Sequence, residues 1–163
     1  MIIANGYEYY KDGIIYFTGW EEIPCPECGG KLHVRGTCRR KLRRKNNSVK
    51  VYRLRVMECG KCGKTHRELP GNIIPYRRMD LESVSELAQI SHAGNLNDSE
   101  ASVWRRVKAW VFWFLDYAGK LSGHPDAINE RFTHKIYEHL KDFVKFTVNA
   151  GKWIQHRSAL RMS

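Results

Sequence analysis

The sequence has no long apolar run, and no stretch of it approaches the roughly 18 consecutive apolar residues that a membrane-spanning helix requires. Asn5 and Glu8 interrupt its first apolar residues, and Lys11 follows soon after, so the apolar segment of a secretory signal peptide is missing. We therefore expect a cytoplasmic protein with no membrane partner.

Motifs of catalysis are missing as well. The sequence has no GxSxG elbow, no glycine-rich phosphate loop, no HxH-plus-tyrosine arrangement and no convincing Cys–His nucleophile pair. Asp116, Asp126 and Glu130 are interpreted as cap or surface residues. The region around them predicts helices, with no strand cluster to hold the three carboxylates of a two-metal nuclease. We expect a binding protein and not an enzyme.

Acidic residues are absent between Lys31 and Met57, although this segment contains eleven lysines and arginines. The whole chain carries a net charge of +11, from 28 Lys and Arg against 17 Asp and Glu. So dense a cluster repels itself unless a polyanion neutralises it, which favours phosphate over a merely solvated loop. The predicted phosphate contacts are Arg39, Arg40, Arg43, Arg44, Arg53 and Arg55.

Two Cys-x-x-Cys pairs flank the basic segment, and a glycine follows each pair. The predicted ligands are Cys25, Cys28, Cys59 and Cys62. Each pair can hold an ion from a tight turn, and two such turns complete a tetrahedral site for one structural Zn²⁺ with no open position. The alternative, two disulfides, needs an oxidising compartment. Cys38 lacks a partner and is interpreted as a small, reduced strand residue.

Two β-hairpins are predicted in the first 68 residues. Residues 7–17 form the first around Asp12-Gly13, and its tyrosines Tyr7, Tyr9 and Tyr10 are interpreted as covering a small core, although they could stack on bases. The second pairs a strand opening at residues 32–34 with a strand over residues 49–56, through a turn at residues 46–48. Tyr52, Leu54 and Val56 share one face of the later strand.

The remainder of the chain reads as a linker followed by helices. Pro70 and Pro75 exclude a helix from residues 69–79, which we interpret as a linker. A helical domain is expected over residues 80–151, with a basic tail over residues 152–163. Its third helix spans about residues 126–150, with Gly151 as the C′ residue. His134 and His139 are spaced i, i+5 there, which does not fit a zinc-binding helical pair.

The first two helices of this domain fit helix-turn-helix logic. A helix from Asp80 to about residue 91 is followed, after a turn longer than usual, by a helix that opens with an Asn97–Glu100 capping box. Ser102, Arg105 and Arg106 lie in its first turns and are predicted to face DNA. The alternative is an ordinary helical hairpin with solvated arginines. Trp104 and Trp113 fall off the apolar stripe, and a homodimer surface would cover them.

The sequence resembles the N-terminal half of certain bacterial insertion-sequence transposases, and also small stand-alone proteins of unknown function. The resemblance covers residues 24–113 and is carried by Pro24-Cys25-Pro26-Glu27-Cys28-Gly29, Cys59-Gly60-Lys61-Cys62-Gly63-Lys64-Thr65-His66, Leu69-Pro70, Pro75-Tyr76 and Ala101-Ser102-Val103-Trp104-Arg105-Arg106. It implies a zinc ribbon and a helix-turn-helix that bind the terminal DNA of the element. The catalytic domain of those transposases has no counterpart here.

Together these observations predict an α+β protein: an N-terminal β-hairpin and four-Cys zinc ribbon over residues 1–68, then the linker and the helix-turn-helix-like domain. The expected partner is double-stranded DNA, which would place the protein at the nucleoid. Two alternatives stay open. One is an RNA-binding module in which Tyr52 stacks on a splayed base. The other is an adaptor that docks on a transposase, polymerase or phage protein.

Overall fold

The structure, a computed structural model, describes residues 1–44, 46–90, 94, 96–123 and 136–153. Within these ranges the fold is mixed α+β, with a six-stranded sheet and three helices. The chain divides into two compact units. The first contains Met1–Asp80 and Val144–Trp153, and the second contains Leu81–Phe143 together with the chain from residue 154 onward, which lies outside the described residues.

The first unit is built on a long central strand. The strands are β1 (Ile2–Ala4), β2 (Gly6–Lys11), β3 (Ile14–Gly19), β4 (Leu32–Arg43), β5 (Val49–Cys59) and β6 (Thr65–Pro70). Strand β5 pairs antiparallel with β4 along its whole length. It also pairs with β3 in parallel and with β6 in antiparallel orientation, while β1 runs parallel to β6. The short parallel strand β1 was not foreseen from the sequence.

The first predicted hairpin is present as β2 and β3. Asp12 and Gly13 both have positive φ, 50° and 76°, which is the backbone of a two-residue turn whose twist matches the strands. However, the tyrosines of β2 do not cover a core. Tyr7, Tyr9 and Tyr10 are 54%, 48% and 74% exposed, so their interpretation as core residues was wrong.

The second hairpin joins β4 to β5, and near its tip one face is fully buried. Tyr52 and Leu54 are both 0% exposed, so Tyr52 is not available to stack on a base as the RNA alternative supposed. The pairing register shifts between Val34 and Gly36. Beyond that point the buried residues of β5 are Met57 and Cys59, on the opposite face, and Val56 is only half-buried. The core therefore changes sides of the sheet towards the cysteines.

Residues 69–79 are packed into the first unit and do not form a free linker. Leu69 lies in β6, and Leu69, Ile73 and Ile74 are all 0% exposed. The guanidinium of Arg40 donates hydrogen bonds of 2.8 Å to the carbonyls of Ile74 and Arg77. The prolines exclude a helix, as expected, but the apolar side chains between them bury the segment.

The second unit contains two helices whose ends follow the sequence signals. Helix α1 (Leu81–Gln89) buries Leu81, Val84, Leu87 and Ala88, the face that the sequence predicts. Helix α2 (Asp98–Leu121) begins with the predicted capping box between Asn97 and Glu100. Its buried residues are Ala101, Trp110, Val111, Phe114, Leu115, Ala118 and Gly119, whereas Val103 and Val107 are only half-buried.

Helix α3 (Ile136–Asn149) contains the division between the two units. The start predicted at residue 126, and His134, lie outside the described residues. The helix ends as predicted at Gly151, which has φ 67°. The N–H of Gly151 donates to the carbonyl of Val148, and the N–H of Lys152 donates to the carbonyl of Thr147. These two hydrogen bonds form a Schellman motif. Among the described residues, no helix has the length and apolarity that a membrane crossing requires.

Candidate metal centre

The structure brings the four predicted cysteines together at one end of the central hairpin. Cys59 is the last residue of β5, Cys62 lies in the turn that leads to β6, and Cys25 and Cys28 lie in the loop before β4. All four Sγ atoms lie within 4.8 Å of one another. The Sγ of Cys25 is 3.7 Å from that of Cys62, and the Sγ of Cys28 is 3.5 Å from that of Cys59. This cluster could hold a metal ion.

The two Cys-x-x-Cys turns have the same backbone structure. In the first, the N–H of Gly29 donates to the carbonyl of Cys25 (2.8 Å), and the N–H of Cys25 donates to the carbonyl of Gly30 (2.9 Å). In the second, Gly63 donates to Cys59 (2.9 Å) in the same way. Gly29 and Gly63 have φ of 70° and 68°, the left-handed region that explains glycine after each pair.

The electrostatics of the cluster favour a cation. Backbone N–H groups, that of Cys62 foremost, lower the pKa of the Cys59 thiol to about 6. The pKa of Cys28 rises to about 12 because hydrogen bonds shared with Cys62, Cys59 and Cys25, together with burial, outweigh the N–H of Gly30. Four sulfurs at these distances cannot all be thiolates unless a positive ion offsets their repulsion.

The geometry fits a tetrahedral four-sulfur site. Metal–sulfur distances of about 2.3 Å place the sulfurs of such a site about 3.8 Å apart, close to the two shortest separations here. The two Cys-x-x-Cys turns also lie close to each other, which four sulfurs around one ion require. A Cβ on Gly30 would lie 2.7 Å from Cβ of Lys61 and 2.9 Å from Sγ of Cys59. Only a residue without a side chain lets the turns meet this closely.

His66 supports the cluster, although the sequence analysis assigned it no role. It lies on β6 and is 5% exposed, and its Nε2 is 3.3 Å from Sγ of Cys25. Burial lowers the pKa of His66, and the neighbouring α-amino group of Met1 lowers it further. Period-two alternation on β6 turns His66 and Glu68 towards the same buried side of the strand. A histidine at such an inward position, four residues after a Cys-x-x-Cys pair, is the sequence signal that could have indicated this role.

The predicted phosphate contacts separate into two groups. Arg39 and Arg43 are exposed on β4, together with Lys41. Within the described residues, no hydrogen bond or ion pair involves the side chains of these three. Arg53 is half-buried and donates to Oγ1 of Thr37 over 3.1 Å. These residues leave charge at the surface.

Three other predicted contacts are engaged inside the first unit. Arg44 lies 3.6 Å from the carboxylate of the buried Asp80. Arg40 bonds to backbone carbonyls. Arg55 donates to both carboxylate oxygens of Glu68 at 2.7 Å and to the carbonyl of Gly19. Arg40 and Arg55 therefore bind groups of the first unit, and their contact with phosphate stays a prediction.

A cavity of about 400 Å³ adjoins this ion pair in the first unit. It is lined by Arg55 and Glu68 and by segments around Trp20, Gly30 and Met57. The side chain of Glu68 is 2% exposed and also accepts the N–H of Gly19 at 3.1 Å. Arg55 and Glu68 therefore satisfy one another at the wall of the cavity.

In the second unit, Arg105 and Arg106 are exposed on α2, whereas Ser102 is half-buried. The indole N–H of Trp104 donates to the carbonyl of Ile90 at 3.3 Å. Trp113 stacks on Tyr117 with ring centroids 5.6 Å apart. Trp104 and Trp113, which fall outside the apolar stripe of the helix, thus both have partners within their own unit. Because part of the α1–α2 connection lies outside the described residues, the helix-turn-helix arrangement stays a prediction.

Comparison with known proteins gives one family. The profile of a domain of unknown function, DUF6431, matches residues 25–107. The matched region contains all four clustered cysteines, the hairpin of β4 and β5, and the first turns of α2 with Arg105 and Arg106. No curated protein and no solved structure matches the chain.

Proposed function

The chain belongs to the DUF6431 family of domains of unknown function, and from its site we propose that it is a zinc-dependent DNA-binding protein, transposon-associated or regulatory. Its four cysteines hold one Zn²⁺. The hairpin of β4 and β5 contacts phosphates, and α2 reads the duplex. The proposed activity is binding and not catalysis.

The observation that carries the proposal is the basic strand anchored in the cysteine cluster. Strand β5 ends on Cys59, and β4 begins two residues after Gly30. The exposed Arg39, Lys41 and Arg43 follow one another at period two along β4, so their charges lie on one face of the sheet. A hairpin held at its base by an ion can present such a row to a phosphate backbone without losing its shape.

The zinc is structural in this proposal. Four thiolates fill a tetrahedral ion and leave no position for a substrate or an activated water. Cys28→Ser removes one ligand, and we expect loss of bound zinc and unfolding of the first unit. Cys38→Ser is the matched control because Cys38 lies outside the cluster. Metal analysis and thermal melting separate the two variants, and a Cys28→Ser protein that keeps both its metal and its melting temperature would exclude this role.

Phosphate binding is tested by the salt dependence of affinity. Changing Arg39, Lys41 and Arg43 to Gln should reduce the slope of log K against log salt by roughly one for each phosphate that is no longer neutralised. The same change should weaken binding to every duplex sequence alike. An unchanged slope would remove β4 from the interface.

Sequence reading by α2 is tested with a random duplex library selected on the zinc-loaded protein. We expect an enriched motif, and we expect Arg105→Ala to weaken binding to that motif about 5- to 150-fold while binding to random duplex falls less. Equal losses on both duplexes would exclude Arg105 as a base contact. Retention of no duplex at all would favour a protein-docking role instead.

A further inference from the structure

Four strands of the first unit align two tyrosines and two arginines in one row. Tyr9 of β2 is opposite Tyr16 of β3, Tyr16 is opposite Arg53 of β5, and Arg53 is opposite Arg39 of β4. Residues at the same level of neighbouring strands point to the same face. Tyr9, Tyr16, Arg53 and Arg39 therefore form a tyrosine–arginine row that crosses the sheet over about 14 Å, three strand spacings.

The aromatic half of the row is preformed; Tyr9 is exposed to solvent, and Tyr16 is half-buried. The rings of Tyr9 and Tyr16 are stacked, with centroids 4.9 Å apart and planes 9° from parallel. Tyr9 is 48% exposed, and Tyr7, two residues earlier on the same face of β2, is 54% exposed. Exposed, ordered aromatic rings on a sheet provide flat surfaces on which unpaired bases stack.

The other half of the row is cationic, and one of its two guanidinium groups is held in place. Arg53 is held by its hydrogen bond to Thr37, which leaves further guanidinium N–H groups for an anion. Arg39 is exposed. Lys11 of β2 and Lys41 of β4, exposed on the two outer strands of these four, occupy the same face at the next level. Aromatic surface and positive charge thus lie within one strand spacing of each other.

We propose that this face binds an unpaired DNA strand, with bases stacked on Tyr9 and Tyr16 and the phosphates between them contacting Arg53 and Arg39. The inference rests on the proposed function and adds a second mode to it, since a paired base cannot present its face to a side chain outside the helix. The positive charge beside the rings selects a polyanion over an apolar protein segment. The protein would then bind DNA where the duplex is open.

The test compares four ligands by fluorescence anisotropy on the full zinc-loaded chain: oligothymidine, an abasic strand of equal length, oligouridine and a duplex. Wild type should bind oligothymidine more tightly than the abasic strand, which has the phosphates but no bases. Tyr9→Leu with Tyr16→Leu should weaken oligothymidine binding by about 5- to 150-fold. Binding of the abasic strand and of the duplex should not change.

The matched control is Tyr10→Leu. Tyr10 is 74% exposed on the opposite face of β2, and its loss should leave oligothymidine binding unchanged. Tyr9→Phe keeps an aromatic ring and should retain wild-type affinity. Thermal melting reports whether the double variant folds. Should it unfold, Tyr9→Leu alone replaces it, because Tyr9 is exposed and its loss should still weaken binding several-fold.

Three results would overturn the inference. Equal affinity of wild type for the abasic strand and oligothymidine would exclude base stacking. Equal affinity of the tyrosine variant and wild type for oligothymidine would exclude these two rings. Tighter binding of oligouridine than of oligothymidine would reassign the face to RNA. If wild type shows no salt-dependent binding to any of the four ligands, the duplex included, the result would instead contradict the proposed function itself.

Discussion

Nε2 of His66 lies 3.3 Å from Sγ of Cys25, and Nδ1 of the same ring lies 3.3 Å from the α-amino nitrogen of Met1. In its charged form the α-amino group can only donate; opposite that form Nδ1 accepts, and Nε2 of the neutral ring carries the proton that points at the sulfur. A thiolate that receives this hydrogen bond is oriented and stabilised. The cysteine cluster is thus tied to both β6 and the first residue of the chain.

His66→Phe should weaken Zn²⁺ binding about 10- to 100-fold, because it removes the donor to Cys25 and leaves all four sulfurs in place. Competition with a chromophoric chelator measures the change. His139→Phe is the control, since His139 lies in the second unit, outside the unit that contains the cluster. If the two variants bind zinc equally well, His66 does not support the metal.

Arg55→Ala should lower the free energy of unfolding by about 3–5 kcal/mol, because it leaves the carboxylate of Glu68 buried without its partner. Arg39→Ala should change it by less than about 0.5 kcal/mol, since Arg39 is an exposed residue. Urea denaturation gives both values. A double change to Arg55→Met and Glu68→Leu should recover part of the loss, and a small loss for Arg55→Ala would show that the fold does not depend on this ion pair.

Gly30→Ala should destabilise the first unit by about 1–3 kcal/mol and weaken zinc binding, because the new methyl group would push the two cysteine turns apart. Gly36→Ala is the matched control, since a Cβ at Gly36 would have no atom within 4 Å. Thermal melting with and without added zinc measures both effects. Equal melting temperatures for the two variants would contradict the close approach of the turns.

Tyr52→Phe tests the alkaline stability of the core. Burial raises the pKa of Tyr52 from 10.0 to about 12, and Nδ2 of Asn72 donates to its hydroxyl at 3.0 Å. The folded protein keeps a proton that the unfolded chain releases above pH 10, so this residue's contribution to stability is lost as pH rises towards 12. The variant should be less stable by about 1 kcal/mol near neutral pH.

The difference between wild type and Tyr52→Phe should then shrink as the pH rises above the unfolded pKa of tyrosine, about 10. Urea denaturation of both proteins across this range measures it, and the lysines that titrate there are common to the two. A constant difference would show that Tyr52 ionises in the folded protein as it does in the unfolded chain.

Local patterns in the sequence predicted several elements of the fold. The Asp12-Gly13 turn, the Asn97–Glu100 capping box and the end of α3 at Gly151 each depend on residues a few positions apart. The cysteine cluster was also predicted, because the spacing within each pair already dictates a turn. Short-range chemistry is sufficient for such features.

Contacts between distant residues could not be predicted in this way. Arg55 and Arg39 look alike in a count of charges, and only the approach of the buried Glu68 on β6 makes Arg55 the half-buried member of an ion pair. Alternation places Tyr9 and Tyr16 on one face of a hairpin without saying whether anything covers that face. The packing of residues 69–79 had the same origin, since proline marks the absence of a helix and not the presence of solvent.

The side chain of Asn149 completes the sheet from the far end of the sequence. Its Oδ1 accepts the N–H of Ile3 at 2.8 Å and its Nδ2 donates to the carbonyl of Ile3 at 2.9 Å, as a neighbouring strand would. During synthesis β1 emerges before this partner, which follows only after Leu81–Phe143 of the second unit. Until then the outer edge of β1 is unprotected against pairing with another chain, so a ribosome that stalls within the second unit would release an aggregation-prone product.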